Sequence, residues 1–286
     1  MSQSAPTAHA NEDALERLTA TATRLVTPCG DGEMVWRCWG EGPALVLLHG
    51  GIGSWRHWVR TIGVFAPHYR IFAPDTPGLG ESAMPPTPIT PEHIATIIGD
   101  GLPMVLPPGQ RCTLVGFSFG ALLAGHVAAQ RPALIASLML VGPGALGLAR
   151  GDVEMVPVLE KTGAEREQAH RTNLSRLMLA APEAIDAQAV AIQEINTGMA
   201  RVRSVRFSRT PSLRDALTHV TAPLSVIWGE RDTIASPDLP GRIAVVRGLH
   251  PAADISIIPG AGHWVQYEAA EAFNAILHRS LERAAA

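Results

Sequence analysis

Residues 114–125 read LVGFSFGALLAG, and at their centre Gly116-Phe117-Ser118-Phe119-Gly120 spell G-x-S-x-G. An apolar, β-favouring run precedes the pentapeptide at 112–115, and an Ala- and Leu-rich helical pattern follows it at 121–130. A serine on a sharp strand-to-helix turn sits in strained backbone. Glycines two residues to either side remove the Cβ atoms that would collide as the chain doubles back. Ser118 is therefore the candidate nucleophile.

Outward from this turn, strands alternate with helices. Residues 44–48, ALVLL, form a continuous apolar run typical of a strand covered on both faces. Directly after it come His49-Gly50-Gly51-Ile52-Gly53-Ser54-Trp55, where glycines let backbone N–H groups approach a bound oxygen. Further strands are predicted at 33–39, 70–73, 137–141, 224–228 and 254–258. Helices are predicted at 92–102 and 269–284, with 240–248 helical or irregular. Residues 1–10 read as frayed. A helix is expected at 11–24, with Asn11 as its cap and Leu15, Leu18 and Ala22 on its apolar stripe. Between about 146 and 217 no strand pattern appears, only helical segments punctuated at Pro157, Gly163, Pro182 and Gly198. Alternating β and α units with apolar strands imply a parallel sheet with helices on both faces, and 146–217 read as an inserted helical block.

A serine hydroxyl needs a base within hydrogen-bond reach and a group that orients the base. His263, in Gly260-Ala261-Gly262-His263-Trp264, follows the last predicted strand, and Asp232, in Trp228-Gly229-Glu230-Arg231-Asp232, follows the strand before it. The chain order Ser118, Asp232, His263 is the order of an α/β-hydrolase triad. Glu230 stands as the alternative acid. Asp75 also ends a predicted strand, His49 reads as structural, and the neighbours of His250 suggest a surface loop.

Taken together, the HGG loop, DTPGLGES at 75–82, GFSFG, WGERD and GAGHW resemble, in order, the motifs of the α/β-hydrolase fold over residues 30–286. The resemblance implies an α/β fold with a mostly parallel eight-stranded sheet and helices on both faces. Its core would comprise 30–145 and 218–286, its helical cap 146–217, and residues 1–29 would form an N-terminal extension with a helix. It implies Ser118 as nucleophile, His263 as base, Asp232 as the acid that orients it, and the backbone N–H groups of Gly51 and Phe119 as an oxyanion hole. Relatives that dehalogenate or open epoxides carry aspartate at the elbow, so Ser118 argues against both.

The run 262–268, GHWVQYE, with Phe273-Asn274 beyond it, resembles the C–C bond hydrolases that cleave aromatic ring-fission products, and places Trp264 as a pocket residue. Three departures weaken that match. Phe117 stands where the group has asparagine, no Gly-Pro follows Gly51, and Gln188 occupies the position expected of a cap arginine that holds the substrate carboxylate. Gln188 brings no charge and no guanidinium fork. Arg203, Arg206 and Arg209 are the substitutes in sequence reach. The expectation is therefore a serine hydrolase acting on a small carboxylic ester or related acyl compound, with Phe117, Trp264 and Gln188 lining its pocket. C–C hydrolysis is the alternative, and a non-catalytic small-molecule binding protein is the reading from another class.

Composition narrows the partners. Of 286 residues 47% are hydrophobic and 17% charged, as in a folded globular chain, and a net charge of -3 gives no general attraction to nucleic acid or an anionic membrane. Cys29, Cys38 and Cys112 lack the spacings of a zinc site or a disulfide framework. The first residues lack a secretory pattern, and no apolar stretch approaches the ~20 residues that span a bilayer. A cytoplasmic enzyme is expected, with a small-molecule substrate, no cofactor, no metal and room for a homodimer.

Overall fold

The computed structural model describes residues 8–285, with side chains over 14–284. Residues 1–7 of the stretch expected to be frayed lie outside the described residues. The chain runs α1 (Ala8–Thr21), β1 (Thr23–Cys29), β2 (Gly32–Trp39), β3 (Ala44–Leu48), α2 (Val59–Phe65), β4 (Arg70–Pro74), α3 (Pro91–Val105), β5 (Cys112–Phe117), α4 (Phe119–Gln130) and β6 (Ile135–Val141). It continues through α5 (Gly163–Asn173), α6 (Ala187–Met199), α7 (Ser212–Leu217), β7 (Leu224–Gly229), α8 (Leu239–Leu249), β8 (Asp254–Ile258), α9 (Val265–Glu268) and α10 (Ala270–Ala285).

The eight strands form one sheet in the order β1-β2-β4-β3-β5-β6-β7-β8. β2 is antiparallel to both neighbours, and every pairing from β4 to β8 is parallel. Strands β3, β5 and β7 are buried along their whole length. Their period of two divides the core. Val46, Leu48, Leu114, Val226 and Trp228 pack on one face with α3, α4 and α7, while Leu45, Leu47, Val115, Phe117 and Ile227 pack on the other with α2, α9 and α10.

Three features depart from the sequence expectations. Helix α1 starts at Ala8, so Asn11 lies inside the helix rather than capping it; Ala8 and Ala10 are strong helix formers that extend it backward. Leu15, Leu18 and Ala22 do pack against the core, as their spacing predicts. β1 lies wholly within the residues expected to form an extension. It is an edge strand with Leu25, Thr27 and Cys29 on its inner side and Arg24, Val26 and Pro28 exposed; polar Thr27 facing in and apolar Val26 facing out blur the hydrophobic alternation that marks a strand in sequence. Finally, α7 returns to the core before residue 217. Leu213 packs into the space left by Gly125 of α4, where a Cβ would meet it at 2.3 Å. Among the described residues the segment 142–223 contains no strand, and no helix is long and apolar enough to cross a membrane.

Candidate active site

β5 ends at Phe117 and α4 begins at Phe119, which leaves Ser118 alone on the turn with φ 53° and ψ −111°. A non-glycine residue there is held in sparsely populated backbone space, at a cost of roughly 1–3 kcal/mol. Its N–H donates to Val141 O at 2.8 Å. The flanking glycines are required by contact: a Cβ on Gly116 would lie 2.2 Å from Gly120 O, and one on Gly120 would lie 2.3 Å from Leu48 O. The serine is thus lifted off the end of β5 between β3 and β6.

His263 Nε2 lies 2.9 Å from Ser118 Oγ, and His263 Nδ1 lies 2.8 Å from Asp232 Oδ2. A carboxylate accepts only, so Nδ1 carries the imidazole proton and Nε2 is the free base facing the hydroxyl. The imidazole and carboxylate side chains are 2% and 1% exposed. Asp232 Oδ1 accepts the Ile234 and Ala235 N–H groups at 2.9 and 3.2 Å, so both carboxylate oxygens have fixed tasks. Glu230, the alternative acid, points outward and accepts Gly260 N–H at 2.8 Å. Asp75 is built into a turn, accepting Trp55 N–H and Glu81 N–H at 2.9 Å each. His49 accepts Thr76 N–H on Nε2, so its Nδ1–H donates to Gly50 O; it supports the glycine loop from behind.

Ser118 and His263 open onto a cavity of about 260 Å³, slightly below the ~300–1,000 Å³ of most ligand pockets. Gly51 and Phe119 lie on its wall next to each other: a Cβ on Gly51 would sit 3.7 Å from Phe119 Cβ. Phe119 opens α4, so its N–H has no carbonyl within the helix to bond. The inserted segment supplies the roof, with Val153, Met155, Leu177, Met178 and Val205. Leu177 and Met178 come from the wide π-helical turn Leu174–Met178, a form often found at functional sites.

Of the three expected pocket residues only Phe117 lines the cavity, its ring 5.0 Å from that of His263. Trp264 is turned behind the histidine: its indole N–H donates to His57 O at 2.9 Å and its ring stacks on Tyr267 at 4.2 Å. Gln188 is buried in α6 and is no part of the cavity wall. Arg203, Arg206 and Arg209 are also absent from it; Arg206 bonds Ile89 O, and Arg209 pairs with Asp152. Instead the wall contains Arg150, from the irregular chain after β6, where no local pattern marked it.

Glu268 is a second residue that sequence alone did not single out. Its Oε2 accepts Gly262 N–H at 2.6 Å and its Oε1 accepts Ala181 N–H at 2.5 Å, while Trp264 N–H donates to Met178 O at 2.8 Å. The loop carrying His263 is therefore tied on both sides to the inserted segment. In Glu268→Gln the amide retains one acceptor and turns a donor toward the other N–H. The expected result is a fall in kcat of roughly ten- to a hundredfold, since misplacing a reacting group by about 1 Å costs up to that much. Steady-state kinetics check this, and an unchanged kcat would show that the clamp does not position His263.

The groups buried behind the site set the response to pH. Burial lowers His49 to about 4 and His57 well below the usual histidine value, the latter also through the charges of His49 and His263. Burial raises Asp75 to about 6 against its backbone hydrogen bonds. As pH falls from about 6.5 to 4 the unfolded chain protonates the two histidines while the folded chain does not, which removes stability. Asp75 gains its proton in the folded state first, so its contribution is lost as pH rises through about 6. Over this range His49 and Asp75 act in opposite directions. His57 therefore tips the balance. The urea midpoint should fall between pH 7 and pH 5; a midpoint that rises over this range would contradict the account.

Among the described residues no group of three or more His, Cys, Asp or Glu side chains is placed to hold a metal ion. A model of the alpha/beta hydrolase family matches residues 45–276. The chain is 28% identical over 251 residues to a 2-hydroxy-6-oxo-6-phenylhexa-2,4-dienoate hydrolase of Comamonas testosteroni, covering 82% of this chain and 86% of that one. It is 25% identical over 235 residues to a pimeloyl-[acyl-carrier protein] methyl ester esterase of Aeromonas salmonicida, covering 78% and 89%. An esterase structure from Rhodococcus sp. ECU1013 shares the fold with a TM-score of 0.76 at 22% identity, covering 92% of this chain and 98% of that one. Since the family match runs from β3 into α10 and takes in the loops bearing Ser118, Asp232 and His263, the chain belongs to the alpha/beta hydrolase family.

Proposed function

We propose that this protein is a serine hydrolase that cleaves small carboxylic esters or related acyl compounds, with the inserted helical segment as a cap over its site. The observation that carries the reading is the hydrogen-bonded chain Ser118 Oγ, His263 Nε2, His263 Nδ1, Asp232 Oδ2, facing a small, largely apolar cavity. Ser118 Oγ attacks the acyl carbon as its proton passes to His263 Nε2, and Asp232 stabilises the resulting imidazolium. The developing oxyanion is received by the N–H groups of Gly51 and Phe119. Collapse expels the alcohol, which takes the proton from His263, and a water molecule repeats the sequence on the acyl-enzyme. The test is covalent labelling by a fluorophosphonate together with turnover of p-nitrophenyl esters of graded chain length. A chain that only binds small molecules resists the label.

C–C bond hydrolysis is the second reading, favoured by the relative from Comamonas testosteroni. Against it, Phe117 fills the space beside His263 where that group carries asparagine, and no Gly-Pro follows Gly51 in the glycine loop. Purified protein is expected to turn over short-chain esters and to leave 2-hydroxy-6-oxo dienoic acids largely uncleaved. Cleavage of such an acid with kcat/KM of about 10⁴ M⁻¹s⁻¹ or more, with esters far slower, would reverse the choice.

A further inference from the structure

Resting on the serine-hydrolase reading, we infer that Arg150 binds a carboxylate on the substrate, so that the preferred esters are monoanions such as monoesters of short dicarboxylic acids. Among the described residues that line the cavity, Arg150 carries the only permanent charge. It is half-buried, and its Nε is buried without a hydrogen-bond partner. The acids around it are committed elsewhere. Asp152 pairs with Arg209 on the outer side, and Asp232 is held by His263 and two backbone N–H groups. Among the described residues no carboxylate forms an ion pair with Arg150.

The backbone on either side of Arg150 is anchored to the loop that bears Asp232. Arg242, itself buried, donates from Nη2 to Ala149 O at 2.6 Å and to Ile234 O at 3.2 Å, and Gly151 N–H donates to Ile234 O at 3.3 Å. The guanidinium is thus presented from a fixed base rather than from a free cap surface. Burial lowers its pKa from the ordinary arginine value, but an arginine keeps its charge in a protein. An unpaired, partly desolvated guanidinium is unfavourable alone and gains a charge-assisted, two-point contact from a carboxylate, whose two oxygens match its fork. A neutral ester of the same shape offers nothing to that fork.

The test compares monoethyl esters of C4 to C8 dicarboxylic acids with neutral ethyl esters of matched length, on wild type, Arg150→Gln and Arg150→Lys. The wild type is expected to prefer the monoanions. The ratio of kcat/KM for charged over neutral ester should fall at least about tenfold in Arg150→Gln and recover in part in Arg150→Lys, as expected for loss of a desolvated charged contact. In Ser118→Ala protein, glutarate should raise the melting temperature, and the added Arg150→Gln change should abolish the rise. Labelling of each Arg150 variant by the fluorophosphonate shows that it is folded. A ratio unchanged in Arg150→Gln, or no stabilisation by glutarate, overturns the assignment. Stabilisation by inorganic phosphate but not by glutarate overturns it in favour of a phosphorylated substrate. Failure of all esters together with failure of the label would sink the serine-hydrolase reading instead.

Discussion

Ser118→Ala is expected to lower kcat by roughly 10⁵- to 10⁶-fold while leaving the protein folded. The hydroxyl is the atom that His263 Nε2 faces at 2.9 Å, and among the described residues no second hydroxyl is bonded to that nitrogen. Removing the nucleophile of such a unit abolishes the covalent route, and what remains is the modest rate that binding and oxyanion stabilisation supply, on the order of 10³ to 10⁴ over water. The fold should survive because the turn is dictated by close contacts at Gly116 and Gly120, and the side chain of residue 118 faces the cavity rather than the core. Turnover by the purified variant within tenfold of wild type would end the assignment of Ser118 as nucleophile. A melting temperature far below that of wild type would show instead that the hydroxyl serves packing.

Asp232→Asn is the second large effect, on the order of 10⁴ in kcat. The structure decides which way the new amide must turn. One oxygen of Asp232 receives two backbone N–H groups, from Ile234 and Ala235, so the amide oxygen is retained there and the NH₂ is driven toward His263 Nδ1. A donor at Nδ1 makes that nitrogen the acceptor and moves the imidazole proton to Nε2. His263 then presents a proton to Ser118 where a base is required. Glu230→Gln is the matched control, since Glu230 is exposed and engages Gly260 N–H rather than His263, and it should lower kcat by far less. If Glu230→Gln proved the more damaging, the acid would be misassigned.

Much of this was legible in the chain because it is local. Strands covered on both faces are continuous apolar runs, and 44–48 and 224–228 declare themselves without any knowledge of their partners. The elbow needs only five residues to be recognised. The order Ser118, Asp232, His263 placed each group after a strand, and parallel strands of one sheet deliver their following loops to the same edge. Edge strand β1 was missed because polar Thr27 faces inward while apolar Val26 faces outward and Pro28 interrupts the run, so its alternating burial is not written as alternating hydrophobicity in 23–29.

The cavity is of a different kind. Trp264 sits next to the base in sequence yet turns its indole into a layer with His57 and Tyr267, its own N–H bound to Met178 O and the Gly262 N–H just before it bound to Glu268. Gln188 is no part of the cavity wall while Arg150, in a stretch without periodic pattern, lines it. Glu268 bridges Ala181 and Gly262, and Ser54 bonds Asn196 across 142 positions of chain. By itself, the sequence determined seven of the sheet's eight strands, the elbow and which three side chains could meet, since each rests on the pattern of a single element and on the order of the loops that follow the strands. Tertiary structure decided the rest of the cavity wall, above all the residues of the inserted segment and Arg150. That wall is formed where an irregular insertion closes over the sheet, and side-chain direction there follows from contacts between distant segments rather than from local periodicity.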